Sequence, residues 1–144
     1  MKRIFVLMIV SLVMLACGEK SCSVTAKEPS GQVRDYVEVI YFHGKQRCLT
    51  CRSIELNTKN LLDTRFARQM KEGRVVYRVI DISKKENAPI AKKYQVTWAS
   101  LFLVQHKDGK EKTENLTEFA FAHSRTQPAK FKAGITKNIN QALK

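Results

Sequence analysis

Two cysteines separated by two residues, Cys48-Leu49-Thr50-Cys51, form the grouping in this 144-residue chain whose types and spacing speak most directly of chemistry. Residues 37–42 (Val-Glu-Val-Ile-Tyr-Phe) are β-branched and aromatic and read as a buried strand. Residues 43–47 are a polar connection, so the pair falls where a helix should begin. A helix start presents unpaired N–H groups and about half a unit of positive charge, and both favour a thiolate over a thiol. Cys48, at the very start, feels this most, and Arg47 and Arg52 add positive potential. A cysteine so placed has its pKa lowered from about 8.5 into the range of roughly 3.5–7.5. Cys48 is therefore the expected attacking thiolate. Cys51, one turn inward and more covered, is the expected resolving thiol. Both are read as catalytic.

The elements that must position the pair follow from patterning. Ile54, Leu61, Leu62, Phe66 and Met70 have a mostly helical spacing, and Gly73 suits the left-handed position that closes a helix. Residues 75–82 are a second strand and 88–94 a short helix. Residues 101–104 are a third strand, 107–110 a turn, and 116–121 a fourth strand. Phe131, Ile135, Ile139 and Leu143 recur every four residues after Pro128, which marks an amphipathic terminal helix. Strand, helix, strand, helix, two strands and a helix is an α/β order, with the first two strands parallel.

The first residues read as an address. Lys2 and Arg3 precede an apolar run at residues 4–15, which at about 1.5 Å per residue spans roughly 18 Å, short of a bilayer's roughly 30 Å. Residues 1–16 are thus an expected signal peptide. Met14-Leu15-Ala16-Cys17-Gly18 resembles a bacterial lipobox, which implies a lipid on Cys17 and export with membrane anchoring, facing the periplasm or the cell exterior. Ordinary cleavage near Ala16 is the alternative, and would leave Cys17 free to pair with Cys22. Residues 17–36 read as a flexible, lipid-anchored tether, and residues 37–144 as the domain.

Composition excludes several classes. With 44% hydrophobic residues the chain is not a charge-swollen disordered polymer, and six Gly with three Pro rule out a collagen-like design. Four cysteines are too few for a disulfide-dense miniprotein. Of the formal charge of +13, a net +11 resides in residues 37–144, where 21 basic side chains meet 10 acidic ones, and Lys2 and Arg3 supply the rest. A basic domain favours anionic neighbours, while export argues against nucleic acid as a partner.

The strand before Cys48, the Val79-Ile80-Asp81 strand end, and Ala91-Lys92-Lys93-Tyr94-Gln95-Val96 leading to a strand and a Lys-Asp-Gly turn together resemble the thioredoxin family over residues 37–144, in particular its small exported bacterial members. The resemblance implies a central mixed sheet of about four strands flanked by helices, and thiol–disulfide exchange through a mixed disulfide. It implies exported disulfide-containing or dithiol proteins as partners, no cofactor and no resident metal. The departures are specific. Arg47 stands where an aromatic residue usually precedes the first cysteine. No acid lies in Tyr41-Phe42-His43, where the family buries one, which leaves His43 or Glu38 as substitutes. The family's cis-proline is missing from residues 96–101, where Ser100 or Ala99 takes its place beside Trp98, so this peptide is expected to be trans. Arg47, His43, Trp98 and Ser100 are the expected neighbours of the cysteines. Two other readings stay open: a thioredoxin-fold binding or structural module with a static disulfide, and a metal or iron–sulfur module using the two thiolates with His43, His106, His123 or a second copy.

Overall fold

The structure is a computed structural model and describes residues 35–144. The signal peptide, Cys17, Cys22 and nearly all of the tether lie outside the described residues. The elements are β1 (Tyr36–His43), α1 (Leu49–Arg65), α2 (Ala67–Lys71), β2 (Val75–Asp81), a 3₁₀ turn (Lys85–Asn87), α3 (Ala88–Lys93), β3 (Ser100–Lys107), β4 (Lys110–Asn115), α4 (Thr117–His123) and α5 (Pro128–Ala142).

The four strands form one mixed sheet in the order β2-β1-β3-β4. β1 pairs parallel with β2 and antiparallel with β3, and β3 pairs antiparallel with β4. The alternation of β1 assigns its side chains to two cores. Val37, Val39 and Tyr41 pack with Ile54, Leu61 and Leu62 of α1 and Phe131, Ile135 and Ile139 of α5. Ile40 and Phe42 face the other way, onto Phe102, Val104, Ile80 and Val96, with Ile90 and Tyr94 laid over them. A strand covered on both faces must be continuously apolar, and the buried stretch of β1, residues 37–42, is, except at Glu38.

Gly73 (φ 72°) takes the left-handed position that ends α2, and Asp108 (φ 51°) and Gly109 (φ 71°) make the two-residue hairpin turn with both φ values positive. Two expectations need correcting. The helix expected to run from Cys48 to Met70 breaks at Phe66 (φ −120°, ψ 15°), whose side chain turns into the core. Residues 116–121 are not a strand. The fourth strand is instead the polar run Lys-Glu-Lys-Thr-Glu-Asn of β4, an exposed edge paired only with β3. Charged, lysine-rich edges resist further pairing, so polarity there protects the sheet rather than argues against a strand. Leu116, Phe119 and Ala120 are spaced i, i+3, i+4, which is helical. Thr117 N–H donates to Asn115 Oδ1 at 3.0 Å, and Leu101 N–H donates to Thr117 Oγ1 at 3.1 Å, which fixes where α4 starts against β3. Among the described residues, no helix is long and apolar enough to cross a membrane.

Candidate active site

β1 ends at His43, and a short connection carries the chain to Cys48, the N-cap of α1 (φ −70°, ψ 166°). Cys48 Sγ accepts a hydrogen bond from Cys51 N–H at 3.0 Å, so a sulfur does what a serine or aspartate oxygen usually does at a helix start. Cys48 and Cys51 are joined as a disulfide with Cα atoms 5.1 Å apart. Their exposure is unequal: Cys48 lies at the surface, while Cys51 is 8% exposed. One sulfur is thus open to an incoming thiolate and its mate is shielded. No acidic residue occupies the first turn of α1, so nothing there opposes the helix-end field on a thiolate.

Two groups beneath the disulfide were not foreseen as part of the site. The Tyr41 hydroxyl, fully buried on the α1 face of β1, donates to Cys51 O at 2.8 Å. Burial pushes this phenol up to about 12, with Arg47 pulling it down and Glu55 pushing it up. A neutral hydroxyl thus holds the backbone of the second cysteine. The other is Glu55, whose Oε2 pairs with Arg47 Nη2 at 2.5 Å, both side chains about a quarter exposed. Arg47, the residue before Cys48, is consequently not a free cation. Sequence carried signals for both: Tyr41 has the β1 parity that faces α1, and Glu55 lies four residues beyond Cys51 on the same helix face.

The remaining expected neighbours divide. His43 ends β1 with its Nδ1 donating to Gly44 O at 2.9 Å, while its carbonyl accepts from Ile82 N–H at 2.8 Å. It stabilises the turn out of the strand. Glu38 sits at the opposite end of β1, five residues or about 17 Å of strand from His43, buried and paired with Arg78 at 3.0 Å and His106 at 3.4 Å. It is not the acid beneath the cysteines. Ser100 is buried opposite Phe42 in the register, and its hydroxyl donates to Trp98 O at 3.0 Å, which shapes the loop entering β3. No peptide bond among the described residues is cis. Trp98 is 57% exposed and rests on Phe121 of α4, ring centroids 5.3 Å apart. β3 starts at the sheet end where β1 stops, so Trp98 and Cys48 leave the sheet at one end. Among the described residues, no group of three or more His, Cys, Asp or Glu is placed to hold a metal ion.

A cysteine pair in this setting can exchange disulfides: a partner thiolate attacks the exposed sulfur, and the buried one leaves and later returns. No protein-family model matches the chain, and comparison with curated proteins gives no match. Solved structures do match. The Trx4 domain of ERdj5 superposes with a TM-score of 0.50 at 15% identity, covering 76% of this chain and 81% of that one. A thioredoxin from Thermus thermophilus gives 0.46 at 18% identity, covering 74% and 72%. Fasciola hepatica thioredoxin gives 0.44 at 21%, covering 74% and 81%. The order of elements, the mixed four-stranded sheet and the likeness to the ERdj5 domain together establish that this chain has the thioredoxin fold.

Proposed function

We propose that this protein is a thiol–disulfide oxidoreductase, exported and held at a membrane by lipid on Cys17, that exchanges disulfides with exported proteins through Cys48 and Cys51. The carrying observation is the asymmetry of the pair. Cys48 is exposed and caps a helix, and Cys51 is buried directly behind it. In the reduced protein, the Cys48 thiolate attacks a partner disulfide, forming Cys48–S–S–partner and releasing one partner thiolate. Cys51 then loses its proton to solvent and attacks Cys48 Sγ, and the second partner thiolate departs. The partner gains two electrons, and the protein regains its internal disulfide. The reverse sequence oxidises a partner dithiol. Direction follows from the difference in reduction potential, with 30 mV equivalent to about 1.4 kcal/mol. The anchoring part rests on Lys2, Arg3, the apolar run at residues 4–15 and the Ala16-Cys17 junction.

Insulin reduction by the full chain with a dithiol donor tests the exchange. Turnover that Cys48→Ser abolishes is expected. Cys51→Ser should stall as a mixed disulfide that can be isolated and its partner identified. Unchanged turnover in Cys48→Ser would refute the assignment. Membrane fractionation of wild type against Cys17→Ala tests the anchor: the variant should move to the soluble fraction, and retention would refute lipidation.

A further inference from the structure

Among the described residues, the exposed large hydrophobic side chains are Leu49, Leu56, Val79 and Trp98. Leu49 (67% exposed) immediately follows Cys48, and Leu56 (61%) lies seven residues on, two turns along the same outer face of α1. Arg52, three residues after Leu49 and four before Leu56, is exposed on that same side one turn after Cys48, its backbone N–H donating to Cys48 O at 3.1 Å. Lys45 is exposed in the connection leading to Cys48. Neither Lys45 nor Arg52 takes part in an ion pair among the described residues, whereas Arg47 is held by Glu55. The exposed Cys48 sulfur is thus followed along α1 by an apolar strip, and it is flanked in the chain by two exposed cations, Lys45 three residues before it and Arg52 four residues after it.

We propose that the partner of Cys48 is an acidic polypeptide: its disulfide is flanked by carboxylates that face Lys45 and Arg52, and by an apolar side chain that lies on Leu49 towards Leu56. This inference rests on the exchange reading above and names the class of partner. Three points select the occupant. The strip from Leu49 to Leu56 is about 10 Å long, more than a small disulfide covers. A second copy of this chain brings the same excess of 21 basic over 10 acidic residues in its domain, so copies repel. A lipid surface lying against the strip would close access to Cys48, the one exposed sulfur of the pair.

The test uses the reduced full chain and two peptides with the same disulfide-bonded core, one flanked by Glu and the other by Lys. At low salt kcat/KM should be about tenfold higher for the Glu peptide, and the gap should narrow as salt screens exposed charges. The readout is the ratio of the two rates, because that ratio cancels any effect of a substitution on Cys48 itself. In K45E/R52E the ratio should invert. Leu49→Ser should raise KM for both peptides alike and leave the ratio unchanged. Equal rates, a preference for Lys, or a ratio that survives K45E/R52E would overturn the acidic partner and leave the exchange reading standing. Loss of exchange on adding vesicles of anionic lipid, relieved in K45E/R52E, would show that the strip faces a membrane and would also overturn it. No exchange with either peptide would overturn both.

Discussion

Glu55→Gln isolates the ion pair beside the reactive sulfur. In the native protein Glu55 neutralises Arg47, the residue before Cys48, and Arg47 Nε is buried without a hydrogen-bond partner. Replacing the carboxylate by an amide leaves the guanidinium charge uncompensated next to the Cys48 thiolate. For unit charges about 7 Å apart, with an effective dielectric of about 40 for a pair a quarter exposed, the interaction is roughly 1 kcal/mol. That lowers the Cys48 pKa by somewhat less than one unit. It stabilises the dithiol over the disulfide, so the reduction potential rises by about 20 mV and the protein becomes more oxidising. Arg47→Gln removes the cation, leaves Glu55, and should move both quantities the other way. The assay is equilibration of each full-length variant in glutathione buffers of graded ratio, followed by acid quenching and site-resolved alkylation, which keeps Cys17 and Cys22 out of the signal. A potential that stays within about 5 mV of wild type in both variants, or that falls in Glu55→Gln, would refute the electrostatic reasoning.

Two further predictions concern the groups that hold the site. Burial raises the Tyr41 phenol from 10.0 to about 12, so its contribution to stability is complete below pH 10 and is lost as pH rises towards 12. The loss is worth roughly 3 kcal/mol, and Tyr77, also raised by burial, acts in the same direction. Tyr41→Phe should flatten that decline and cost about 1 kcal/mol at neutral pH through the lost bond to Cys51 O. Urea midpoints at pH 8, 10 and 11.5 check both, and identical pH slopes in the two proteins would contradict the assignment. In α5, a Cβ on Gly134 would fall on the Phe119 ring of α4. Overpacking of about 1–3 kcal/mol against a helix-propensity gain of about 1 kcal/mol predicts that Gly134→Ala is destabilised by roughly 1 kcal/mol. Because Phe121 of the same helix supports Trp98, the Trp98 emission should shift as well. Unchanged midpoint and emission would show that this contact does not hold α4.

What was legible in the sequence follows physical lines. β1 and α5 were plain because burial on both faces of a strand, or along one stripe of a helix, imposes a pattern on the residues themselves. Cys48 and Cys51 were plain because their placement after a buried strand is local. β4 was hidden because an edge strand exposed along its whole length has no apolar alternation, and its pairing is set by the Asp108-Gly109 turn. Residues 116–121 misled because the short apolar run Leu116, Phe119, Ala120 and Phe121 is read as a strand as readily as a helix turn, and the Asn115 turn and the bond from Leu101 N–H to Thr117 Oγ1, which set the start of α4, are not visible in a pattern. The roles of Tyr41 and Glu55 depend on what lies across from them in space: a carbonyl ten residues away for one, and a guanidinium eight residues away for the other.

The account depends on Cys48 being an anion near neutrality while Cys51 is not. Site-resolved alkylation rates of the reduced full chain across pH measure this directly. Cys48 should react with a midpoint well below about 8.5 and faster than Cys51 at every pH. A Cys48 midpoint at or above that value, or faster reaction at Cys51, would contradict it.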